Sequence, residues 1–203
     1  MAGKEEIPVA GLEKEIGAFL ASKATQAGRA SDRPGCNLAH GNACVLATCY
    51  DNQPRATPLD FFYEGDLEIW IIAEPGGKLS NIQRNDRVSL AIFDKVDHSV
   101  DQMSIQLWGR AGIFKYGEHP DLVESKVRAF GLDVATRGMM QKLVANQMLP
   151  EEAVDETIKK LRKKTTMLRI IPDKIAVLQT KAEGMAVRKY WEDGRAYQKQ
   201  ANF

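Results

Sequence analysis

Between residues 42 and 94 the chain alternates short apolar, β-branched runs with tight turns, and this spacing constrains the fold more than any other feature. The run ACVLATCY is followed by the turn DNQP, then by RATPLDFFY, the turn EGD and LEIWIIAE. Runs of this length, bounded by Gly, Pro, Asn and Asp, read as strands joined by hairpins, here a three-stranded meander. In the third run Leu67, Ile69 and Ile71 alternate with Glu68, Trp70 and Ile72, which predicts one apolar and one mixed face. EPGG ends the pattern, and KLSNIQRN, with Leu79 and Ile82 at helical spacing, predicts a helix of no more than two turns. DRVSLAIFD is a fourth strand. After the polar stretch KVDHSVDQ comes a long fifth, MSIQLWGRAGIFKY. Gly109 and Gly112 inside that strand predict a bulge or a sharp bend, as closing a small barrel requires.

The flanks are of a different kind. The N-terminal stretch reads as an amphipathic helix with Ile7, Leu12, Ile16, Phe19 and Leu20 on one side. From 118 to 164 the pattern is helical in three pieces. The first has Pro120 in its first turn, and the last has acids early and bases late, as the helix dipole favours. TTMLRIIP and DKIAVLQT return to strand character, and residues 185–191 offer one more strand before a polar tail. The expected fold is mainly β (α+β), a small barrel of about six to eight mostly antiparallel strands. It carries an N-terminal helix, a short helix after the third strand and a helical insertion at about 118–164. No linker divides the chain, so residues 1–203 are expected to form a single domain.

Composition narrows the function classes. Lys plus Arg is 28 against 27 for Asp plus Glu, a net charge of +1, which gives no reason to expect nucleic acid or an acidic membrane as partner. The N-terminal stretch holds no apolar run of signal-peptide or membrane-span length, so a cytoplasmic protein is expected. Three cysteines, Cys36, Cys44 and Cys49, do not suggest a disulfide framework. Cys44 and Cys49 lie in an apolar run five residues apart, so on one strand they face opposite sides and read as packing residues rather than a metal pair. His40, His98 and His119 are scattered, without metal-ligand spacing.

No nucleophile–base constellation, phosphate loop or dinucleotide fingerprint is present. The run Gly76-Gly77-Lys78, however, falls between a strand end and a helix start. Amides at a helix N-terminus favour an anion, and Lys78 in the first turn adds a full charge. Arg55, near the start of the adjacent strand, supplies a second cation, and the two together form a candidate phosphate cradle. Taken alone, Lys and Arg beside turns are ordinarily just solvated.

The ordered set Leu46-Ala47-Thr48, Gln53-Pro54-Arg55, Pro58, Lys78, Asn81-Ile82 and Arg87-Val88-Ser89-Leu90 resembles the pyridoxamine 5′-phosphate oxidase-like, FMN-binding split-barrel proteins. Gly109-Arg110-Ala111 and the late MLRIIPDKIAVLQT extend the resemblance, which covers roughly 38–116 and 165–190. It implies a split barrel and an FMN at the interface of a homodimer. The phosphate would meet Arg55, Thr57, Lys78 and Ser80, with Leu79 in the same turn. The ring would lie along the main chain of Ala56, Thr57 and Pro58 and of Ile72 and Ala73. Gln106 and Arg188 are further candidate cofactor contacts, and Trp108 reads as packing. True oxidases of this family carry a Trp where this chain has Leu178, and their terminal substrate signature is replaced here by Arg188-Lys189-Tyr190-Trp191. The expected function is therefore an FMN-dependent oxidoreductase acting on a small organic substrate other than pyridoxamine phosphate. The alternatives are a flavin-binding electron carrier without turnover, a haem-handling split barrel and a deazaflavin-using relative.

Overall fold

The structure, a computed structural model, describes residues 4–27, 38–39, 44–94, 100–182 and 186–200. The elements run β1 (Glu5–Glu6), α1 (Val9–Lys23), β2 (Gln26–Ala27), β3 (Leu38–Ala39), β4 (Cys44–Tyr50), β5 (Gln53–Leu59), β6 (Phe62–Tyr63), β7 (Ile69–Ile72), α2 (Gly77–Arg84), β8 (Arg87–Phe93) and β9 (Gln102–Lys115). They continue with α3 (Pro120–Ala129), α4 (Leu132–Ala145), a 3₁₀ turn (Glu151–Ala153), α5 (Val154–Lys163), β10 (Thr166–Thr180), β11 (Ala186–Glu192) and β12 (Arg195–Gln200). Eight of the strands are four residues or longer, and all described pairings are antiparallel. The main sheet follows the order β1-β12-β11-β10-β9-β8-β4-β5, with β7 joining β10 and carrying β6. It is an open, split barrel.

Asp51 and Asn52 both take positive φ, 51° and 55°, which gives the β4–β5 hairpin the two-residue turn whose twist matches its strands. Alternation then sorts the side chains. Leu46 of β4, Leu90 of β8, Leu107 of β9 and Val177 of β10 all point inward and are fully buried. Helix α1 lays Leu12, Ile16, Phe19 and Leu20 on this inner face, spaced so that one stripe of the helix meets the sheet. A second apolar cluster lies on the opposite face, where Phe62, Trp70 and Met167 meet Val123, Val127, Phe130 and Leu132 of the helical insertion. The rings of Phe62 and Phe130 stack with centroids 4.7 Å apart. The insertion is thus a second layer on β6, β7 and the first half of β10.

Four expectations are corrected. The run 55–63 is not one strand: β4 begins at Cys44, opposite Leu59, so the chain loses its partner there and resumes as β6 beside β7. The third strand of the expected meander, β7, does not pair with β5; it pairs with β10, Ile72 opposite Met167. The two late runs form one continuous strand, β10. Its register shifts between Pro172 and Lys174, so the bulge lies on β10, opposite Gly109, and not on the glycine strand. The polar tail is itself a strand, β12, held between β11 and β1. The expected start of the last strand at 185, together with Cys36, His40 and His98, lies outside the described residues.

Cys44 is fully buried, and burial pushes its thiol up to about 12. Cys49 is half-buried on the other face of β4. Iodoacetamide at pH 8 is therefore expected to label Cys44 only after denaturation, because alkylation needs the thiolate. Peptide mapping after native and denatured labelling checks this, and rapid native labelling of Cys44 would contradict it. No helix among the described residues is long and apolar enough to cross a membrane.

Candidate functional site

The site is built at the first turn of α2. Gly76 precedes the helix with φ 156°, and no side chain caps the end. The amides of Leu79 and Ser80 both donate to the Gly76 carbonyl, at 3.0 and 3.2 Å. The amides of Gly77 and Lys78 come before the first intrahelical bond, so they face outward at the positive end of the helix dipole.

Two asparagines hold this helix end in place. Asn81 donates through Nδ2 to Thr48 Oγ1 at 3.1 Å, and Asn85 donates to the Cys49 carbonyl at 2.8 Å. Four residues apart, they share one face of α2 and clip it to β4. Thr48 is only 2% exposed and lies directly across the ladder from Arg55 of β5. The Arg55 guanidinium in turn lies against Gly77. Lys78 follows in the first turn. Among the described residues neither Arg55 nor Lys78 has a carboxylate partner. Two unpaired cations and two outward amides therefore converge on one spot, a donor set suited to a phosphate monoester.

Thr57 lies two residues beyond Arg55 on the same face of β5, opposite buried Leu46. Ser80 is exposed one residue past Leu79, whose side chain packs on the core and fixes the turn. The side chains of Ala56 and Pro58 face the other way, opposite Ala47 and Val45, so what they present toward the cleft is main chain. β5 is an edge strand, with no partner beyond β4 among the described residues. The β6 side of β7 is likewise unpaired after Trp70. Ile72 is exposed at this strand end and Ala73 is buried, its amide bonded to the Thr166 carbonyl at 2.9 Å. The contact of Arg55 with Gly77, five residues past β7, brings the edge of β5 and the exit of β7 together at the start of α2.

The structure does not bring Gln106 and Arg188 to this spot. Gln106 lies across the ladders from Ala91 and Ala176, and Arg188 lies across from Leu178. These residues face outward, away from the buried partners that back Arg55 and Thr57. With Trp108 and Tyr190 they line a shallow groove of about 530 Å³ on the outer face of the sheet. Arg188 is five strands from β5, roughly 24 Å along the sheet at about 4.8 Å per strand. Sequence reasoning had named Asn81 only as part of a motif and had given Asn85 and Thr48 no role. The two asparagines at helical spacing beside a strand were the available signal.

An open antiparallel barrel whose unpaired strand edges meet an anion-binding helix start is the split-barrel class. The family model described as Pyridoxamine 5'-phosphate oxidase matches residues 37–165, more than half of the chain, and the chain belongs to that family. Among solved structures, a pyridoxamine 5'-phosphate oxidase-related, FMN binding protein from Nostoc punctiforme is similar at TM-score 0.53 and 12% identity, over 80% of this chain and 88% of that one. PhzG from Burkholderia lata, solved with tetrahydrophenazine-1-carboxylic acid, is similar at TM-score 0.52 and 12% identity, over 80% and 82%. A fad-binding protein from Mesorhizobium loti is similar at TM-score 0.47 and 16% identity, over 88% and 98%. No curated protein sequence matches.

Proposed function

We propose that the protein binds FMN and uses it as an oxidoreductase acting on a small organic molecule. The observation that carries this reading is the Arg55 guanidinium lying against Gly77 at the start of α2, beside Lys78. These two cations and the helix amides would hold the phosphate, with the hydroxyls of Thr57 and Ser80 beside them. Main chain at 56–58 and 72–73 offers both donors and acceptors, which is what the polar edge of a flavin needs. Bound flavin would supply hydride transfer. The protein's own part is to hold the ring, exclude water and present the substrate.

The same reading makes the protein a homodimer. Gln106 and Arg188 lie on the opposite face of the sheet and five strands away, so they cannot join the Arg55 cluster within one chain. A second copy, docking its outer groove over the cleft, would bring them there. Membership of the family does not carry pyridoxamine phosphate oxidation with it. Leu178, which replaces the tryptophan of the true oxidases, lies directly across from Arg188 and changes the surface that a substrate would meet.

The test is the absorbance spectrum of the untreated protein together with its mass in solution. The expected result is a yellow dimer with flavin bands and about one FMN per chain, bleached by NADH or NADPH without oxygen and restored by an organic acceptor. A colourless protein that takes up no added FMN would overturn the reading. A dimer that binds FMN but never exchanges electrons with any acceptor would leave a flavin-binding protein and remove the enzyme.

A further inference from the structure

We infer that Gly77 is a positioning residue for the phosphate site, acting through Arg55, and that it makes the cleft select flavins that carry a phosphate monoester. The inference rests on the FMN reading above and adds a residue and a selectivity to it.

A Cβ placed on Gly77 would lie 2.8 Å from Arg55 Cζ and 2.9 Å from both Nε and Nη2. All three atoms belong to the tip of one flexible side chain, and none is backbone. The space a side chain would fill at position 77 is thus occupied by the guanidinium, which rests over the outward amides of the first turn. Neighbouring Gly76 differs. Its φ of 156° is one that L side chains rarely adopt, yet nothing lies within 4 Å of where its Cβ would be. Gly76 serves the backbone at the turn, whereas Gly77 serves the space above it. Gly77 does not have positive φ, so alanine fits its backbone, and alanine is the better helix former.

Gly77→Ala therefore leaves the fold intact and pushes only the arginine tip off the helix start. The guanidinium contacts the phosphate and not the ring, so the loss appears for FMN and not for riboflavin, which has the same ring without the phosphate. The experiment titrates FMN and riboflavin into the flavin-free full chain, the Gly77→Ala and Arg55→Ala variants and the double variant, reading flavin fluorescence, with thermal unfolding of each. For Gly77→Ala the expected result is FMN binding weakened by about 10- to 100-fold, the scale of one charged hydrogen bond. Riboflavin binding should stay within about two-fold, and the unfolding midpoint should be equal or higher. The double variant should bind FMN no more weakly than Arg55→Ala alone. Wild-type FMN affinity in Gly77→Ala, equal losses for both flavins, or additive losses in the double variant would each overturn the inference while the FMN reading stands. A wild-type chain that binds neither flavin overturns both.

Discussion

Replacing Arg55 and Lys78 together by alanine is expected to give a folded protein that purifies without FMN. The two side chains are exposed and half-buried, and neither has a carboxylate partner among the described residues, so their removal orphans no charge and disturbs no packed neighbour. Surface changes of that kind usually alter stability by no more than about 0.5 kcal/mol. The effect on the cofactor is of another size. Each charge-assisted hydrogen bond to a phosphate is worth about 1.5–3 kcal/mol, so losing both costs roughly 3–6 kcal/mol, or about 10²- to 10⁴-fold in affinity. The helix amides remain but lack a full charge to support them. Flavin content of the purified variant, with a dissociation constant from fluorescence titration, checks this. Stoichiometric FMN in the double variant would place the phosphate elsewhere.

The legible part of this site and the illegible part differ for a physical reason. Arg55 and Lys78 flank a helix start that follows a strand within a few residues, and such local geometry is written in adjacent sequence. Strands β4, β8 and β9 are equally visible, because alternation such as Ile105, Gln106, Leu107 shows directly which side chains go inward. Which strand pairs with which is not local. β7 looks like the third member of a meander, yet its partner β10 lies almost a hundred residues away, Ile72 opposite Met167, and only the folded chain reveals that pairing. The same non-locality hides the fact that Gln106 and Arg188 lie on the face away from Arg55. Their exposure can be read from parity, but their distance depends on the order β5-β4-β8-β9-β10-β11. β12 was obscured by composition rather than distance. RAYQKQ has little apolar character, but it follows Asp193-Gly194, a dipeptide whose positive φ values of 48° and 73° make the tight hairpin turn. Once the turn forms, Tyr197 stacks on Tyr190 of β11 at 5.0 Å and Ala196 is buried, enough to hold a polar strand between two neighbours.

Gly109→Ala is expected to cause the largest loss of stability of any single methyl added to this chain's glycines. A Cβ there would lie 2.1 Å from the Ile171 carbonyl oxygen and 2.9 Å from both the Ile171 carbonyl carbon and Pro172 Cα. Every one of these atoms is backbone of β10, in contrast to the flexible arginine tip beside Gly77. β9 and β10 are paired from Lys115–Thr166 to Gln102–Thr180, with the bulge beside Pro172 bringing the two chains together at Gly109. Relieving the contact means moving β10 away from β9 by an ångström or more, between fully buried Leu107 and Ile170, where the interior is packed too densely to absorb the shift. The expected cost is about 3–5 kcal/mol, a large share of the stability of a domain this size, and a failure to accumulate folded protein is within that range. Gly112→Ala is the control on the same strand. Its Cβ would meet Phe114 ring atoms at 3.0 and 3.4 Å and backbone only at 4.0 Å, so the ring can turn aside, and the expected cost is about 1 kcal/mol. Urea unfolding of both variants followed by circular dichroism separates the two cases. Similar midpoints for Gly109→Ala and Gly112→Ala would mean that β10 does not press its backbone on β9, and the bulge opposite Gly109 would then need another cause.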